Sequence, residues 1–199
     1  MNSSRLRVLQ PEHLTPEQHE VVVCIASDSD RGGKIPLPYR IALHSPAFTQ
    51  DWQALGGTLR YRTTLSQDLV ELTTLLVAAH WQCDYVTSAH EKAALSAGLS
   101  VEFIEAIRAG HPPESMTKAQ AHTHEFVRQL LTNQRVTDAA YAMSLDDLGP
   151  AGVVELTAIA GYYAMVTLMI NVHGFDPKSA EAWKAAKFQP QFEAEDDPS

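Results

Sequence analysis

Helix start and stop signals punctuate this sequence at short, regular intervals, and they restrict it to a helical fold. Thr15-Pro16-Glu17-Gln18 joins an N-cap hydroxyl, a proline at the first helical position and a glutamine that closes a capping box. It predicts a helix over 15–27. The run Ser29-Asp30-Arg31-Gly32-Gly33-Lys34, with Pro36 and Pro38, then predicts a loop to about Ile41. Ser45-Pro46 opens a second helix reaching about Tyr61, and Ser66 caps a third in which Leu69, Leu72, Leu75, Leu76 and Ala79 recur at helical spacing. A fourth helix starts at Cys83 or Asp84 and runs to Ala97, ended by Gly98. Further helices follow over Ser100–Ala109, from Thr117 (boxed with Gln120) to Asn133, and from Thr137 to Leu148. Gly149-Pro150 then separates off an apolar helix near 152–173. No segment alternates as a strand does, and Val21-Val22-Val23 sits inside a capped helical window. The expected fold is all-α: an irregular arm over 1–13, a multi-helix domain over 14–175 and a partly flexible tail over 176–199.

Composition narrows the partners. Apolar residues make up 45% of the chain, enough for a sizeable core, and the formal net charge of −9 repels nucleic acid and anionic membranes. The two cysteines, Cys24 and Cys83, lie far apart, and the N-terminal stretch lacks an apolar run of signal-peptide length. A cytoplasmic, reducing setting with both thiols free is expected. Leu156–Val172 carries no charged residue. Its threonines, glycine and asparagine, and the lack of a flanking basic cluster, favour a fully buried core helix over a membrane span. In the tail, Trp183, Phe188 and Phe192 suggest docking, while the closing residues read as loose.

The chemistry concentrates between Glu71 and His90. Cys83 and His90 are seven residues apart, so they share a face of one helix, separated by about 10 Å of rise. A cysteine at a helix N-terminus gains thiolate character from the backbone N–H groups there, although Cys83 also reads simply as a small buried hydrophobe. Tyr85 and His90 are candidates to pass a proton. Glu71 belongs to the preceding helix, on a face otherwise made of Leu and Val, a setting that suits an acid or base. Antiparallel packing of the two helices would bring Glu71 to His90 as a carboxylate-oriented imidazole. Arg60 and Arg62 are candidates to hold a substrate carboxylate, with surface salt bridges the commoner role. Tyr162, Tyr163, Asn171 and His173 lie on the last helix, and a buried phenol there needs a partner in the site or at a subunit interface. No zinc-ligand spacing, phosphate-binding glycine loop or GxSxG elbow occurs, so neither a metal nor a cofactor is expected.

Glu71, Cys83 twelve residues on and His90 seven further on resemble the signature of the carboxymuconolactone decarboxylase and AhpD-like alkylhydroperoxidase superfamily. The surrounding text is similar to its decarboxylase-like branch: Leu37-Pro38-Tyr39-Arg40, His44-Ser45-Pro46, Ala79-His80-Trp81, Asp84-Tyr85, Ala89-His90-Glu91, Ala97-Gly98-Leu99-Ser100, and Glu155 followed by Gly161-Tyr162-Tyr163. The resemblance covers roughly 14–175. It implies an AhpD-like helical bundle that assembles into homo-trimers or hexamers. It also implies a cofactor-free lyase or isomerase acting by proton transfer on a small carboxylated or carbonyl-bearing molecule, as in aromatic-compound catabolism. His90 would be the acid or base, Glu71 its relay partner, with Cys83 and Tyr85 lining the pocket. Where the redox branch carries a second cysteine, this chain has Val86, so a CxxC disulfide cycle cannot run. The usual acid of the decarboxylase pattern is also absent there. The alternatives are a thiol peroxidase using Cys83 alone and a non-catalytic helical scaffold.

Overall fold

The computed structural model describes residues 5–7, 9–27, 34–174 and 183–184. They form an all-α fold, and the chain divides into two compact units. One comprises residues 1–54 with 176–199, the other residues 55–175.

In the first unit a 3-10 turn, Pro11–His13, precedes α1, Pro16–Ser27. The Thr15–Gln18 capping box is formed in both directions, at 2.9 and 3.3 Å. The loop expected up to Ile41 is instead partly helical: β1 (Lys34–Ile35) is followed directly by α2 (Leu37–Ala42). Pro36 occupies the N-cap and Pro38 the first turn. A proline's missing N–H costs nothing in the first turn, so these prolines start a helix here instead of preventing one. Gln18 Nε2 donates to the Leu43 carbonyl at 2.9 Å, tying α1 to the end of α2. β1 pairs antiparallel with β2 (Trp183–Lys184), Ile35 opposite Trp183, a two-residue ladder that no alternation announced. Trp183 thus returns to the body of this unit through its backbone. Phe188, Phe192, the Ser29–Gly33 turn and the closing residues lie outside the described residues. Helix α3, Pro46–Tyr61, begins in this unit, where Trp52 packs against Tyr39 and Phe48 with ring centroids 4.7 and 5.7 Å apart.

The second unit is organised around α4, Gln67–His80, which packs against α5 (Asp84–Ser96), α6 (Val101–Arg108), α7 (Lys118–Asn133) and α8 (Asp138–His173). Every residue of α4 from Leu69 to Leu75 is buried, together with Val77 and Ala78. Leu69, Leu72 and Leu75 meet Ala94, Leu99, Phe103, Ile104 and Ile107 in one apolar cluster. Its buried threonines satisfy themselves on the preceding turn, Thr73 to the Leu69 carbonyl at 2.7 Å and Thr74 to that of Val70 at 2.9 Å.

Caps behave much as the sequence predicts. Thr117 and Gln120 form their reciprocal box, Ser100 accepts from Phe103 N, and Thr137 accepts from Ala140 N. Ser66 is the N-cap of α4 but makes no side-chain cap bond. Gly98 ends α5 at φ 94°. The stretch called α8 is two helices meeting at a kink at the expected Gly149-Pro150 break, where Gly149 at φ 68° and ψ 176° leaves the helical backbone. The expectation of a fully buried last helix is overturned. By length and composition α8 would cross a membrane, and half of its apolar window is buried. Val154, Leu168 and Val172 remain 70%, 45% and 51% exposed. Among the described residues, neighbouring helices cover one side of it, and Val154, Leu168 and Val172 lie on the other.

Candidate active site

The four helices around α4 bury Glu71 almost completely, so its carboxylate needs a partner inside. The short turn over residues 81–83 reverses the chain into α5, and the resulting helical hairpin brings His90 opposite Glu71. His90 Nδ1 lies 2.8 Å from Glu71 Oε2, with the two side chains 9% and 4% exposed. Against an ionised carboxylate, which only accepts, Nδ1 is the donor and Nε2 keeps its lone pair.

Tyr163, from α8, stands edge-on to the His90 imidazole, centroids 5.0 Å apart and planes at 90°. Tyr162 stands edge-on to Tyr163 in turn, at 5.1 Å and 86°. The sequence offered these tyrosines as buried phenols needing a place; the fold sets Tyr163 edge-on against the candidate imidazole. Two turns earlier on α8, Glu155 accepts from both the amide and the hydroxyl of Thr64, at 2.8 and 2.6 Å, pinning the α3–α4 connection to α8. Asn171 is a latch of the same kind, donating to the Trp81 carbonyl at 2.7 Å.

Cys83 does not have the thiolate character expected of its position. It is the N-cap of α5, and the amides of Val86 and Tyr85 do point at its sulfur. Burial nonetheless dominates and pushes the thiol above its usual range, with the neighbouring Asp84 charge adding to the rise. A buried thiolate loses more solvation than two amides return. Tyr85 is half-buried in the first turn of α5, and five residues of helix turn it about 140° away from the direction of His90. Val86 and Thr87 are buried on the His90 side of the helix. Cys24 is a free thiol in the other unit, its sulfur accepting from Gln50 and Gln53 amides at 3.4 and 3.5 Å.

Among the described residues, neither arginine at the end of α3 makes the surface salt bridge expected of it. Arg62 donates to Thr58 Oγ1 at 2.7 Å. Arg60 lies over the Tyr61 ring, its guanidinium carbon 5.0 Å from the centroid. His122, one of the scattered histidines, pairs with Asp147 at 2.6 Å, an acid that also holds Lys118 at 3.0 Å. A separate cleft of about 680 Å³ is walled by Leu76, Ala79, His80, Ile107, Met116 and His124, among others; Glu71 and His90 are not in its wall.

A helical unit with a buried histidine–carboxylate pair across its central hairpin defines a class of protein, and sequence comparison narrows it. The family model described as the carboxymuconolactone decarboxylase family matches residues 46–121, a stretch that contains both members of the pair. The fold matches the alkylhydroperoxidase AhpD core of an uncharacterized peroxidase-related protein from Ralstonia eutropha JMP134, with a TM-score of 0.72. That match has 16% identity and covers 87% of this chain and 92% of that one. No curated protein matches the sequence. Residues 46–121 are thus similar to the carboxymuconolactone decarboxylase family, and the fold is similar to that of an AhpD core.

Proposed function

We propose that the protein is a cofactor-independent acid/base enzyme of the decarboxylase-like kind, acting on a small carboxylated or carbonyl-bearing compound. The observation that carries this is the buried 2.8 Å bond between His90 Nδ1 and Glu71 Oε2. With Nδ1 committed to the carboxylate, His90 Nε2 is the group that takes a proton from a carbon next to a carbonyl, or returns one to it. Glu71 stabilises the imidazolium formed in between. Removal and return at different carbons is isomerisation; return after loss of carbon dioxide completes a decarboxylation. Cys83 and Tyr85 remain the proposed pocket neighbours, without a proton-transfer role.

The thiol-peroxidase alternative is less well supported. Val86 stands where a resolving cysteine is needed, and burial holds the Cys83 thiol protonated, whereas the thiolate is the nucleophile. The test is proton exchange in deuterium oxide. Small keto acids and unsaturated lactones are incubated with the protein and followed by NMR for loss of carbon-bound hydrogen. The expected result is exchange that falls about 10²–10⁴-fold in His90→Gln, falls less in Glu71→Gln, and persists in Cys83→Ala. Peroxide consumption that requires Cys83, with no exchange on any compound, would establish the redox alternative instead.

The assembly is proposed to be a homo-oligomer. Val154, Ala158, Gly161, Met165, Leu168 and Val172 follow one another at alternating steps of four and three. All but Met165 are exposed, and Met165 is half-buried. This is the spacing of a helix-to-helix seam, and Gly161 leaves open space above it. The same helix of a second copy fits such a seam.

A further inference from the structure

Arg60 closes α3 close to the α3–α4 connection, and its carbonyl accepts from Gln67 Nε2 at 3.0 Å. That bond holds the main chain and leaves the guanidinium uncommitted. Arg108 and Arg128 are held differently: they pair with Glu105 and Glu125 at the surface. The Arg60 Nε is withdrawn from solvent and has no hydrogen-bond partner. The guanidinium makes no ion pair among the described residues and lies over the Tyr61 face. A guanidinium cannot shed its proton, and a charge taken out of water is normally paired. A planar fork whose withdrawn Nε–H has no acceptor and whose charge has no ion-pair partner among the described residues is suited to a planar anion.

The charges around Arg60 are those of the active site. Burial works against its positive form, but the phenols of Tyr163 and Tyr61, followed by Glu71 and Tyr162, more than offset that and raise its pKa. Glu71 is the carboxylate bonded to His90, and Tyr163 is the ring edge-on to it. The cation therefore belongs to the same electrostatic neighbourhood as the proton-transfer pair.

We propose that Arg60 is the carboxylate-binding residue of the His90–Glu71 site, so that the substrate is a singly charged carboxylate anchored on one guanidinium fork. The proposal rests on the acid/base reading for what happens after binding, but the binding itself needs no turnover. One guanidinium neutralises one negative charge. A phosphate dianion would leave a surplus negative charge beside Glu71, so the carboxylate is favoured over phosphate.

The experiment uses the full chain, ¹⁵N-labelled, with the Arg60 Nε–H resonance identified by its absence in Arg60→Gln. Benzoate and acetate are titrated in, with benzamide as the neutral isostere and phenyl phosphate as the dianion. The expected result is that at least one carboxylate moves the Arg60 resonance and binds about tenfold or more tightly than its neutral or dianionic counterpart. Affinity falls by a similar factor in Arg60→Gln and by less in Arg60→Lys, which keeps the charge without the fork. The proposal is overturned if no carboxylate moves the resonance, if benzamide binds as well as benzoate, if phenyl phosphate binds best, or if Arg60→Lys and Arg60→Gln leave affinity unchanged. Carboxylate binding without proton exchange would count against the acid/base reading alone; exchange without Arg60-dependent binding would count against this inference alone.

Discussion

At the scale of single residues, burial decides the chemistry more than position in the helix does. Cys83 has the helix N-terminus that lowers a thiol's pKa elsewhere, yet it is 3% exposed and its pKa is raised. The sign of the consequence follows directly. The unfolded chain ionises this thiol near its ordinary value of 9.0 while the folded chain still holds the proton. The contribution is thus complete below that value and is lost as pH climbs through the raised folded one. Urea unfolding between pH 8 and 10 should show an alkaline loss of stability that is smaller in Cys83→Ala. Alkylation by iodoacetamide at pH 8 should run at least about tenfold slower in the native protein than in the urea-unfolded chain. Equal rates would mean that Cys83 is reactive and would return weight to the thiol alternative. The residue that sequence alone placed least well is Arg60. Its type was legible, but whether a guanidinium is paired depends on which carboxylates the fold brings near.

Helices were the most legible elements because their signals are local. The Thr15–Gln18 and Thr117–Gln120 boxes and the Gly98 stop sit within a residue or two of the expected positions, since each satisfies its own backbone groups without help from distant chain. Replacing Thr117 by alanine removes one such group of bonds and should lower the unfolding free energy by about 1 kcal/mol in urea titration. Alanine at Gly98 would meet nothing within 4 Å, so any cost there comes from its φ of 94°. About 1 kcal/mol or more is expected in the same measurement. What stayed hidden was decided by non-local packing. The prolines before α2 act as starters because the following residues are buried as a helical turn, and the β1–β2 ladder joins residues about 150 positions apart. Glu71 facing His90 was conditional on how two helices pack. Its spacing suggested the pair, and the buried hub position of α4 accounts for it.

For the molecule as a whole, the unpaired seam on α8 is the feature with the widest reach. A helix apolar on all sides can have every side covered by its own chain, or can share one side with a second copy. Here Val154, Leu168 and Val172 stay open. Glutamate at Val154 and Leu168 together should reduce the mass seen by light scattering to that of one chain while helical content is kept. An unchanged mass would place the seam outside any assembly. If the seam does join copies, unfolding it separates molecules as well as melting them, and law of mass action enters the melting curve. Heat resistance then ceases to be a fixed property of the polypeptide. It becomes a property of how much of it is present, and a dilute sample should melt earlier than a concentrated one.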